Sequence, residues 1–181
     1  MMELHNVGLV HGGIVPRALR IGRNGRHGAV KIVDFEFAAP ADEPPLDPGI
    51  SGYPIAMPPE NWAGLPHTAK SDVYQLGALL FRLLTGRKLL NKFTLVRMPS
   101  MAESAHCLIE DLEAETLAEI LRGLGLEADA ASYTEAIRTM TLPDPESRPT
   151  DQEALRILLR LGADPTGYSE SLVVAQQQTS R

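Results

Sequence analysis

Between residues 71 and 85 apolar side chains recur at Val73, Leu76, Leu79, Leu80 and Leu83, the spacing that lines up one stripe of an α-helix. Ser71 and Asp72 offer cap chemistry at its start and Gly86 a left-handed stop, so the pattern predicts a helix over 71–85. The same period predicts helices over 105–124, 131–140 and 150–161, the last opened by Thr150 and Glu153 as a capping box. The first third reads differently. Residues 19–21 and 29–33 are short β-prone runs around Gly22-Arg23-Asn24-Gly25, whose Asn-Gly pair predicts a hairpin. From Ala39 to Pro59, crowded Pro, Gly and Asp predict a long loop. The expected fold class is mainly α with a small β-hairpin. No period is sustained after Gly162, so a domain over 1–162 followed by a loose tail over 163–181 is expected.

Composition narrows the classes. With 181 residues, 44% hydrophobic and 22% charged, the chain carries enough apolar material for one packed core. No apolar run approaches the roughly 20 residues of a membrane span, and no secretory signal pattern follows Met1. A cytoplasmic or nuclear protein without a membrane partner is expected. The net charge of -6 is distributed in blocks, thirteen acids against three bases over 101–155 and six bases against one acid over 61–100. No long basic run occurs, so nucleic acid is not an expected partner. Cys107 is the single cysteine, and the five histidines show no zinc spacing, which predicts neither an internal disulfide nor a structural metal. His5, His27, His67 and His106 read as surface or incidental, Trp62 and Phe81 as core.

Five motifs then stand in an informative order. They are Leu4-His5-Asn6-Val7-Gly8-Leu9-Val10-His11, Lys31-Ile32-Val33-Asp34-Phe35-Glu36, Gly52-Tyr53-Pro54-Ile55-Ala56-Met57-Pro58-Pro59-Glu60, Lys70-Ser71-Asp72-Val73-Tyr74-Gln75-Leu76-Gly77 and Leu142-Pro143-Asp144-Pro145-Glu146-Ser147-Arg148-Pro149-Thr150. Together they resemble the C-terminal lobe of a eukaryotic-type protein kinase, at its H-R-D, D-F-G and A-P-E stretches, its central helix and the turn before its last helix. The resemblance covers roughly residues 4–161, with 98–125 unmatched and read as a divergent insertion. It implies a kinase-like C-lobe lacking the N-terminal lobe. It also implies that Glu60 pairs with Arg148, that Asp72 accepts backbone N–H groups of the loop at His11, and that His11 and Phe35 join an apolar spine.

Kinase chemistry needs a carboxylate base, metal ligands and a grip on phosphate. In the resemblance His11 keeps its place, but the arginine of H-R-D is Gly12 and the base is Gly13, which has no side chain to take a proton. The lysine that follows is Val15, and the metal-binding asparagine is Ala18. Asp34 alone is left as a residual metal position, and Glu36 replaces the glycine of D-F-G. No Gly-rich phosphate loop or strand lysine precedes His11, and Arg20 stands where an apolar residue would underlie adenine. Gly12 removes the reader of a loop phosphate; Ser51 is the only hydroxyl between Glu36 and Gly52, and Tyr53 stands where a loop threonine is usual. A kept scaffold with discarded chemistry is the pattern of a pseudokinase.

The expected function is therefore a catalytically inactive binding or regulatory module without a cofactor. Two alternatives stand beside it: a fragment of, or partner-complemented, Ser/Thr kinase using ATP and Mg²⁺, and a truncated product without function. His11-Gly12-Gly13 is also similar to the H-G-G-G loop of esterases, but Gly49-Ile50-Ser51-Gly52 has the wrong spacing for their nucleophile elbow. Residues 1–6 supply barely a turn of the helix that covers the central helix in kinases. Leu76, Leu79, Leu80 and Leu83 are accordingly expected to be partly uncovered and to seek a protein partner or a second copy.

Overall fold

The computed structural model of the protein describes residues 1–21, 30–43, 56–86, 114–123 and 130–161. Helix α1 (Met2–Asn6) leads into β1 (Leu9–Val10), and a 3-10 turn (Pro16–Ala18) leads into β2 (Leu19–Ile21). β2 runs antiparallel to β3 (Val30–Ile32), with Leu19 opposite Ile32 and Ile21 opposite Val30. The predicted hairpin strands are thus paired, and their Asn-Gly turn lies outside the described residues. β4 (Ala39–Pro40) pairs with β1, which corrects the expectation of one loop from Ala39 onward. The chain turns back there because Ala38 N–H closes on Phe35 O at 3.1 Å, and Ala41 N–H then finds Gly8 O at 2.8 Å, so backbone groups near β1 gain partners. Residues 44–55, with Ser51 and Tyr53, lie outside the described residues.

A short helix α2 (Pro59–Trp62) precedes the central helix α3 (Ala69–Thr85). Its cap differs from the expectation. Thr68, not Ser71, is the N-cap: Thr68 Oγ1 accepts Ser71 N–H at 3.3 Å, while Ser71 Oγ accepts Thr68 N–H at 3.1 Å. Ala69 and Lys70 lie off the apolar stripe, and the helix starts two residues before the expected start at Ser71. Gly86 ends it at φ 69°, as its position predicted. Helices α4 (Ala114–Gly123), α5 (Ala130–Met140) and α6 (Asp151–Leu161) follow. Thr150 N–H donates to Glu153 Oε2 at 2.8 Å and Glu153 N–H to Thr150 Oγ1 at 3.3 Å, the predicted capping box. Residues 105–113 and 124 of the helix predicted over 105–124, and the expected tail, lie outside the described residues.

The helices close around α3. Tyr74, Ala78 and Phe81 pack with Leu121 of α4 and Tyr133 and Ile137 of α5. Val73 packs with Ala136 and Met140 of α5 and Ala154 of α6. α3 and α5 approach so closely that a Cβ on Gly77 would lie 2.8 Å from both Met140 Cβ and Thr141 Cγ2.

The leucine stripe, expected to be partly uncovered, has both covered and open members. Leu79 is buried, and Leu76 and Leu80 are half-buried against the second cluster together with Met1, Ile157 and Leu158; Leu83, 58% exposed, is the member left in solvent. The stripe marks an apolar face, and helices from later in the chain supply the cover that α1 is too short to give. Trp62, expected in the core, is 36% exposed, whereas Phe81 is buried. Among the described residues no helix is long and apolar enough to cross a membrane.

Candidate functional site

The loop after β1 hangs from the first turns of α3. Asp72 and Gln75 lie three residues apart, on one face of the helix. Asp72 Oδ2 accepts His11 N–H at 2.7 Å and Oδ1 accepts Gly12 N–H at 2.9 Å. Gln75 Oε1 accepts Ile14 N–H at 2.8 Å, and its Nε2 donates to Gly12 O at 3.0 Å. Four backbone groups of a buried loop are thereby satisfied by two side chains. Val15 and Ala18 turn inward and pack with Ala56.

Asp72 has further partners. His5 Nε2 lies 2.9 Å from its Oδ2 and His67 Nε2 lies 3.3 Å from its Oδ1. Burial alone would raise the Asp72 pKa, but the hydrogen bonds from His5 and His67, the charge of His67 and the His11 N–H carry it well below the usual carboxylate range. His5 and His67 are therefore not incidental, which corrects the sequence reading. Spacing held no signal for them, since His5 and Asp72 are 67 positions apart.

His11 Nδ1 accepts Gly13 N–H at 3.2 Å, which leaves Nε2 to donate to Val33 O at 3.2 Å. The Phe35 ring lies 4.9 Å from the His11 ring, tilted by 49°. The two rings touch, and Phe35 is 54% exposed. Gly12 has φ +71°, and a Cβ there would sit 2.6 Å from Phe37 O, so the loop has no room for a side chain at that position.

Asp34 adopts φ 71°. Its Oδ2 is 3.1 Å from Arg17 Nε, while Arg17 Nη2 reaches Glu36 Oε1. One guanidinium thus holds both carboxylates of the Asp34-Phe35-Glu36 turn. A divalent cation needs oxygen ligands open to it. The Oδ2 of Asp34 is already engaged by a guanidinium, and the side chain of Ala18 carries no oxygen. Among the described residues no group of three or more His, Cys, Asp or Glu side chains could hold a metal ion. Arg20, expected beneath a ring, lies on the surface and folds onto its own strand, donating to Arg17 O at 2.5 Å and Leu19 O at 3.0 Å.

Glu60 and Arg148 form the second buried assembly. Arg148 Nη1 donates to Glu60 Oε1 and to Lys70 O, Nη2 to Glu60 Oε2 and to Pro143 O, and Nε to Leu142 O, at 2.6 to 3.1 Å. All five guanidinium N–H groups are satisfied. Ser71 Oγ donates to Glu60 Oε1 at 2.7 Å, and the guanidinium lies 4.8 Å from the centre of the Tyr74 ring.

No protein-family model matches the chain. It is 33% identical over 87 residues to Serine/threonine-protein kinase ATG1b of Arabidopsis thaliana, covering 48% of this chain and 12% of that protein. It is 27% identical over 166 residues to Serine/threonine-protein kinase PAK 5 of Rattus norvegicus, covering 90% of this chain and 21% of the relative. Serine/threonine-protein kinase Pkn1 of Myxococcus xanthus is 37% identical over 91 residues, covering 48% and 13%. These similarities support a protein kinase-like relationship. The chain spans only about an eighth to a fifth of the length of these relatives. Its mostly helical architecture with small antiparallel strand pairs is compatible with a kinase-like fragment.

Proposed function

We propose that the chain is a kinase-like C-lobe that retains the scaffold of a phosphotransferase without its chemistry and acts as a binding or regulatory module. One observation carries this reading. The loop held by Asp72 carries Gly13 at the position that the resemblance gives to a base carboxylate, and the Asp34 carboxylate is engaged by Arg17. Losing a general base typically costs about 10²- to 10⁴-fold in rate, before any loss of metal or phosphate contacts. Protein contact is the role that remains. Of the leucine face, Leu83 is the member exposed to it.

The test is transfer from radiolabelled ATP in the presence of Mg²⁺ to general protein substrates. None is expected, and ATP with Mg²⁺ should leave the melting temperature unchanged. Transfer that disappears in Asp34→Ala would overturn the proposal in favour of a kinase fragment.

A further inference from the structure

The imidazole of His5 lies between two carboxylates. Its Nε2 is 2.9 Å from Asp72 Oδ2, its Nδ1 is 3.0 Å from Asp151 Oδ2, and the side chain is only 6% exposed. An ionised carboxylate only accepts, so the two contacts require an N–H on each ring nitrogen. That is an imidazolium. A neutral ring has one N–H and would turn a lone pair on the second carboxylate at the same distance.

Three elements meet at this ring: α1 carries it, Asp72 stands in the first turn of α3, and Asp151 opens α6. We propose that His5 is a proton-operated latch, whose imidazolium holds α1 against α3 and α6 and whose deprotonation releases α1 while the packing of α3, α5 and α6 persists. Asp72 cannot follow a departing His5, because the N–H groups of His11 and Gly12 hold it from the other side. The further titratable group at this centre is His67, on the other oxygen of Asp72, and α1 also carries Glu3, which lines the cleft described below. The cluster of α3 with α4 and α5 includes no residue of α1, and the cluster of α3 with α5 and α6 touches that segment only through Met1.

The release has a consequence for the surface. Glu3 and Leu4 of α1, with Val7 just after it, line a cleft of about 590 Å³ together with Val30, Lys31 and Ile32 of β3, His11 and Phe35. Detachment of α1 removes its part of that lining. The latch therefore couples the proton concentration to the shape of the surface around Phe35.

Burial opposes charge on His5, but the hydrogen bonds and charges of Asp72 and Asp151 outweigh it and raise the pKa above the ordinary histidine value. The sign follows. The latch is fully closed below the ordinary histidine pKa of about 6.5 and is lost as pH rises through the higher folded-state value.

The test is an NMR titration of the full chain from about pH 5.5 to about pH 9, the range in which histidine changes charge. Ring nitrogen shifts of His5 and amide-exchange protection are followed together. Both ring nitrogens should carry protons at neutral pH, and His5 should titrate above its ordinary value. Protection at Gly8 N–H, which donates to His5 O, should fall along the same curve while α3 keeps its protection. Each unit of pKa elevation corresponds to about a tenfold loss of protection. The pH dependence should vanish in His5→Gln and shrink in Asp151→Asn. A His5 that titrates at or below its ordinary value, or a pH dependence that survives His5→Gln, overturns the proposal. Should His5→Gln fail to fold, the ring titration of the unmodified chain decides alone.

Discussion

Arg148 and Glu60 meet through two parallel N–H···O bonds of 2.7 Å each, across 88 positions of sequence, with both side chains almost wholly withdrawn from water. Such a pair gives little net stability over an apolar replacement, yet removing one partner strands the other charge. It ties α2 to the turn before α6 and, through Ser71 Oγ, to the cap of α3.

Arg148→Ala should therefore destabilise the fold by about 3–5 kcal/mol, read by chemical denaturation. Arg148→Lys should recover little, because an ammonium cannot replace five donors in a planar fork. A loss below about 1 kcal/mol in either variant would contradict the buried geometry.

The Tyr74 hydroxyl is buried without a hydrogen-bond partner among the described residues, and burial pushes its pKa up, so it stays neutral. Removing an unsatisfied buried polar group is favourable, whereas removing a buried ring is costly. Tyr74→Phe should leave the melting temperature unchanged or raise it, and Tyr74→Ala should cost about 3–5 kcal/mol. A clear loss in Tyr74→Phe would show that the hydroxyl has a partner.

Rebuilding the H-R-D sequence should fail in two different ways. Gly12→Arg forces a side chain onto φ +71° and against Phe37 O, so a destabilisation of at least about 1–2 kcal/mol is expected in urea titration. Gly13→Asp should fold and remain inactive with ATP and Mg²⁺, since Ala18 and the Arg17–Asp34 pair are unchanged. Activity in the Gly13→Asp variant would mean that the missing base was the sole defect.

Gly77→Ala sets helix propensity against packing. Alanine favours the helix by roughly 1 kcal/mol, but its methyl would stand 2.8 Å from Met140 and Thr141, and overpacking costs about 1–3 kcal/mol. A lower melting temperature is expected, and a higher one would show that α5 can retreat from α3.

Acid should act through Asp72. Its folded-state pKa is depressed, so its stabilisation is present above the ordinary aspartate value of about 3.9 and is lost as pH falls below that value. Denaturant midpoints measured from neutral to acid pH should show that decline in the unmodified chain and a smaller one in Asp72→Asn.

What could be read from residues alone was local. The central helix follows from the period of Val73, Leu76 and Leu79, its stop from Gly86, and the capping box from Thr150 and Glu153. In each case the groups that interact are within a few positions of one another, so chain connectivity already brings them together. Glu60 with Arg148, and Asp72 with the His11 loop, became legible only through the resemblance to kinases. His5 between Asp72 and Asp151, Arg17 on Asp34 and Glu36, and the covering of Leu76 and Leu80 by α5 and α6 were not legible in either way. Hydrophobic period says that a face is apolar without saying what lies on it. A histidine or arginine finds its carboxylate through the course of the chain in space, and for His5 and Asp151 that course spans 146 positions.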